Sequence, residues 1–175
     1  KYIVSYGDID PAQAAPYACS GLTAFSALKK IPTTSKDNWI IIIGAGGVGI
    51  NGVLLSPAIH QAKILVIDND PEKRQKAIEA GADEAFSPNE ENKIRKIIGI
   101  GASAAIDFVG RPETSDLGLS LVKKGGMVIV VGLYGGSLKL SLPLVPMRSM
   151  TLKGSYVGEL RELKELVDIM KSGKI

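Results

Sequence analysis

One cysteine and one histidine occur in 175 residues. With only Cys19 there is no internal disulfide framework, so a reducing, cytoplasmic setting is the expectation. One thiol cannot by itself make the three-ligand site that a catalytic metal requires, and the sole imidazole, His60, is expected at the surface or at a helix end, not as a ligand. No apolar run reaches the ~20 residues of a bilayer span, and no signal-peptide pattern opens the chain. Nor is the charge one-signed. The net charge is +3, but Lys73 and Arg74 follow Asp70 and Glu72, and Lys164 follows Arg161-Glu162. A nucleic-acid surface would need a basic stripe with a fold to present it. There is no low-complexity tract and no repeat with a period of roughly 20–50 residues.

What is present is ordinary for a globular protein: 45% hydrophobic and 22% charged residues, in a length suited to one domain with a real core. The chain begins at Lys1 and stops just after a helical pattern, at Ser172-Gly173-Lys174-Ile175. This suggests a piece of a longer polypeptide.

Apolar segments alternate with helical patterns. Trp39 to Ile43 is continuously apolar, as expected of a strand buried on both faces, and Val48 to His60 follows with helical spacing that Pro57 should kink or end. Lys63 to Ile67 is a second strand. A helix from Pro71 to Ala80 follows, with Asp70 as N-cap and Pro71 at its first position. Next come a strand near Glu84 to Phe86, a helix near Asn92 to Ile98, a strand at Ala104 to Phe108 and a helix after Pro112. Gly125-Gly126 then breaks into a strand from Met127 to Val131. A last strand is expected near Met150 to Lys153, before an amphipathic helix from Glu159 to Lys171. Such alternation implies parallel strands joined by right-handed crossovers. The expected architecture is α/β, a doubly wound parallel sheet of six strands with helices on both faces.

Gly44, Gly46 and Gly49 fit the spacing G-x-G-x-x-G of the Rossmann dinucleotide fold. The first allows a tight strand-to-helix turn. The second lets a pyrophosphate approach the backbone, and the third lets the helix pack near the strand. The helix opening near Gly47 and Val48 would offer free N–H groups to the phosphates. The second strand ends in Asp68, nineteen positions after Gly49. An acid there can accept both hydroxyls of an adenosine ribose and repels a 2′-phosphate, which favours NAD over NADP. Asp68 could also be a cap or turn residue of Asp68-Asn69-Asp70-Pro71, and Lys73 and Arg74 are cations close enough to meet a phosphate.

Read outward from the glycines, the sequence resembles the nucleotide-binding domain of the medium-chain dehydrogenase/reductase superfamily, and within it the zinc-dependent alcohol dehydrogenases. The residues that carry the likeness are Ala14-Ala15-Pro16-Tyr17-Ala18-Cys19-Ser20-Gly21-Leu22-Thr23-Ala24, Gly44-Ala45-Gly46-Gly47-Val48-Gly49, Val66-Ile67-Asp68, Ala80-Gly81-Ala82-Asp83, Ile106-Asp107-Phe108-Val109-Gly110, and Gly125-Gly126 leading to Val130-Val131-Gly132. The resemblance covers essentially the whole chain. It implies a lead-in over 1–35 that carries Cys19, a nucleotide-binding sheet over 36–175, and a catalytic domain in sequence not present here. It makes Cys19 one ligand of a catalytic zinc. Thr23 lies beside the nicotinamide, Asn69 and Lys73 join Asp68 at the adenosine ribose, and Val109-Gly110 and Val131-Gly132-Leu133 are loops flanking the cofactor. It further implies hydride transfer between NAD and an alcohol, aldehyde or ketone, and a homodimer or homotetramer joined through the last strand. On this reading the piece alone holds cofactor without turnover. A zinc-free quinone or enoyl reductase using NADPH, or a noncatalytic nucleotide-sensing module, are the alternatives.

Overall fold

The computed structural model describes residues 3–173. After a lead-in that turns at Gly7 and Asp8, α1 (Pro11–Ala14), a 3-10 turn (Ala15–Ala18) and α2 (Ser20–Lys29) precede β1 (Trp39–Ile43), α3 (Gly47–Ile59), β2 (Lys63–Ile67), α4 (Pro71–Glu79) and β3 (Glu84–Phe86). The second half runs α5 (Glu91–Ile98), β4 (Ala102–Asp107), α6 (Pro112–Leu121), β5 (Val122–Val130), α7 (Leu144–Arg148), β6 (Thr151–Gly154) and α8 (Leu160–Lys171). Every strand pair is parallel, in the order β3-β2-β1-β4-β5-β6. The order reverses between β1 and β4, the point at which open parallel sheets bind ligands.

The isoleucine run explains why β1 lies at the centre. All of Ile40 to Ile43 are buried, but the strand's twofold alternation sends Ile40 and Ile42 to one face and Ile41 and Ile43 to the other. The first pair packs with Leu22, Phe25 and Leu28 of α2, Val53 and Leu55 of α3 and Leu166 of α8. The second packs with Ile94 and Ile98 of α5 and Leu119 and Leu121 of α6. Helices therefore cover both faces, as the alternating pattern predicts.

Three expectations change in detail. Pro57 does not end α3; the helix runs through it to Ile59, because less than a turn remains and few hydrogen bonds are lost. His60 ends that helix, as expected, but is not at the surface. It is buried, with Nε2 3.0 Å from the carbonyl oxygen of Leu28, because α2 packs over the end of α3. β4 and β5 each start earlier than the sequence suggests: Ala102 pairs with Val122, and pairing resumes at Ala104 with Met127. The four residues between Val122 and Met127 loop out, and Gly125 and Gly126 sit within that irregularity.

Replacement of Ile42 by alanine removes a buried branched side chain from the central strand. Denaturant unfolding should show a loss of about 3 kcal/mol, with the fold otherwise retained.

Candidate functional site

β1 ends directly in the glycine turn. Gly44 has φ 91°, a left-handed conformation that favours glycine, and its N–H donates to the carbonyl oxygen of Ile67 at 2.8 Å. A Cβ on Gly49 would lie 1.8 Å from the Gly44 carbonyl oxygen, so only a residue without a side chain lets α3 tuck beneath the turn. Gly46 and Gly47 are different. A Cβ on either would meet nothing within 4 Å, because both face an open cleft. Gly46 is the N-cap of α3 and no side chain caps the helix. Its first-turn N–H groups therefore face the cleft together with the positive end of the helix dipole.

Across the turn stands Asp68, buried at the end of β2. One carboxylate oxygen accepts from the Ala45 N–H at 2.7 Å, the other from the Asp70 N–H at 2.9 Å. The acid thus ties the glycine turn to the loop after β2 while still lining the cleft. The capping role belongs to its neighbour: Asp70 accepts from the N–H groups of Glu72 and Lys73 at the start of α4. Arg74 donates to the carbonyl oxygens of Asp68 and Asn69 at 2.8 and 3.0 Å, so its guanidinium is already engaged with backbone. Lys73 lines the cleft.

The cleft encloses about 570 Å³, within the roughly 300–1,000 Å³ usual for small-molecule sites. Of the residues the sequence nominates, Gly44, Gly46, Gly47, Val48, Gly49, Asp68, Asn69, Lys73 and Val109 line it together. Gly110, Val131, Gly132 and Leu133 are not among the residues that line it, and Leu133 is exposed. Their loops are knitted together by bonds from the N–H groups of Val131 and Gly132 to the Asp107 carbonyl oxygen and from Tyr134 N–H to Val109. Thr23 is not among the lining residues; its hydroxyl donates to the carbonyl oxygen of Cys19 at 2.8 Å, one turn back in its own helix.

The sequence reading missed Arg111, Thr114 and Tyr134 on the cleft wall. The Arg111 guanidinium carbon lies 3.5 Å from the centroid of the Tyr134 ring, a cation–π stack joining the loops after β4 and β5. Arg111 follows directly on the nominated Gly110, and Tyr134 on Leu133, so position along the chain was the available signal. Cys19 is exposed at the start of α2. Among the described residues no group of three or more His, Cys, Asp or Glu could hold a metal ion. The open glycines, uncapped helix and buried acid, by contrast, suit a dinucleotide.

This arrangement defines a nucleotide-binding α/β domain of Rossmann type. The chain belongs to the zinc-binding dehydrogenase family, whose profile matches residues 47–172. It is 34% identical over its whole length to an NAD-dependent alcohol dehydrogenase of Sulfolobus acidocaldarius, and 32% identical to a D-arabinose 1-dehydrogenase (NADP(+)) of Saccharolobus solfataricus; the match covers 52% of each relative. The acetophenone reductase from Geotrichum candidum, solved in complex with NAD, superposes with a TM-score of 0.83 at 28% identity, over 98% of this chain and 49% of that one. The chain thus spans about half the length of the curated relatives it matches.

The two kinds of glycine separate in a stability assay. Gly49→Ala forces a backbone clash and should lower stability by several kcal/mol or prevent folding, on the order of the larger single-site losses. Gly46→Ala, with φ −73° and open space before it, should leave thermal unfolding within about 0.5 kcal/mol of the parent.

Proposed function

We propose that this chain is the NAD-binding half of a zinc-dependent alcohol dehydrogenase. The observation that carries the reading is the meeting, in one cleft, of an uncapped helix terminus, two glycines open to solvent and a buried acid at the tip of the next strand. Diphosphate oxygens suit the free N–H groups of α3. Ribose hydroxyls suit Asp68, whose oxygens each keep lone-pair capacity after accepting one N–H, with Asn69 and Lys73 beside it. Thr23 and the backbone of Val131, Gly132 and Leu133 then belong to the nicotinamide end, and Val109-Gly110 to the wall between.

The proposed reaction passes a hydride between an alcohol carbon and C4 of the nicotinamide, giving an aldehyde or ketone. Zinc in the complete protein supplies a Lewis acid that lowers the pKa of the alcohol. Cys19 is this chain's candidate contribution to that metal, and the remaining ligands belong to a catalytic domain outside these residues. The chain's own work is to anchor the diphosphate, select the sugar and shield one side of the nicotinamide. Its exposed single thiol fits a reducing cytoplasmic setting. All four residues of β6 are exposed, and an open parallel edge invites pairing with a second copy, which supports a homodimer, or a homotetramer built from such pairs.

Calorimetry on the chain should register NAD association with NADP at least about tenfold weaker, since Asp68 repels a 2′-phosphate, and no alcohol should be turned over. Absence of heat with NAD would remove the reading. Sedimentation at high concentration should show a dimer through β6; a clean monomer would count against that part alone.

A further inference from the structure

The cofactor reading leaves one buried acid without a task. Asp107, the last residue of β4, is fully buried, and its carboxylate accepts four hydrogen bonds. One carboxylate oxygen accepts from the N–H groups of Val109 and Gly110, both at 2.9 Å. The other accepts from the hydroxyls of Thr114 and Ser115 in the first turn of α6, at 2.8 and 2.7 Å. The Asp107 backbone carbonyl meanwhile accepts from the N–H groups of Val131 and Gly132, in the loop after β5. A single residue therefore gathers the ends of two strands and the start of a helix.

The two loops are also in hard contact. A Cβ on Gly110 would lie 2.0 Å from the Gly132 carbonyl oxygen, and one on Gly132 would lie 2.0 Å from the carbonyl carbon of Val109. Backbones packed so closely cannot shift independently. Any change in the turn at Val109-Gly110 is passed to Val131-Gly132.

We infer that Asp107 is a positioning residue for the nicotinamide end of the cofactor: its carboxylate fixes the turn after β4, and through the Gly110–Gly132 contact it fixes the loop after β5. The inference rests on the dinucleotide reading above. The diphosphate and adenosine end is held separately, by the glycine turn and Asp68. The backbone just before Val109 has a tie of its own to the central strand, Phe108 N–H donating to the Ile43 carbonyl oxygen at 2.9 Å, a bond in which the Asp107 side chain takes no part.

Calorimetry with NAD and with ADP on the parent chain and two variants tests this. Asp107→Ala strands the loop N–H groups and should weaken NAD by about tenfold or more, with ADP affinity changed by less than about threefold. Asp107→Asn keeps a carbonyl oxygen for Val109 and Gly110, since the Thr114 and Ser115 hydroxyls can turn to accept from its amide. It should return NAD affinity to within about threefold of the parent. Unchanged NAD affinity in the alanine variant, or equal loss of NAD and ADP, overturns the inference, because a merely structural role would spare both or weaken both alike. If Asp107→Ala does not fold, amide hydrogen exchange on the parent with NAD and with ADP decides. Greater protection of the N–H groups at Val109, Gly110, Val131 and Gly132 with NAD than with ADP supports it, and equal protection overturns it. Failure of the parent to bind either nucleotide removes the proposed function and this inference with it, whereas a normal parent with equal effects on NAD and ADP removes the inference alone.

Discussion

The cleft depends on how closely α3 approaches the turn that precedes it. The Gly44 carbonyl oxygen occupies the place where a side chain of Gly49 would begin. That closeness directs the helix axis at the space above β1 and leaves its first N–H groups facing the cleft. With a bulkier residue the helix would have to move away from the sheet, and its terminus would lose its aim. The central isoleucines make the approach affordable, since Ile42 packs beneath Gly49 and Gly52 and fills the volume under the helix.

A second constraint acts at right angles to the first. Two strand ends at the cleft carry acids whose first duty is to the backbone: Asp68 holds the Ala45 N–H, and Asp107 holds the loop after β4. Buried carboxylates are costly unless their oxygens find donors. Here the donors are loop N–H groups that would otherwise be unpaired, so the same bonds satisfy both sides and stiffen the loops that surround a ligand. Arg148 does the converse job where α6 passes into β5, donating to the carbonyl oxygens of Leu119 and Val122.

Much of this was legible in the sequence because it follows from periodicity and spacing. WIIII and KILVI announce strands buried on both faces, and the three glycines with Asp68 announce the cleft. What escaped depends on distances along the chain that patterns do not measure. His60 looks like an exposed helix end until α2 is folded across it. Arg111 and Tyr134 meet only once the loops after β4 and β5 lie side by side. Asp107 was visible within the motif Ile106-Asp107-Phe108-Val109-Gly110, but nothing in its spacing distinguishes a buried anchor from an exposed acid. Thr23 was nominated through resemblance, and its hydroxyl is turned back on its own helix in this structure.

The two bonds of Asp68 couple choice of nucleotide to the shape of the scaffold. A lineage that traded this acid for a neutral residue, to welcome a phosphorylated sugar, would at the same stroke orphan the amide of Ala45 and slacken the bend it secures. Altered preference would therefore arrive with a looser grip on every nucleotide, until a compensating partner for that amide evolved.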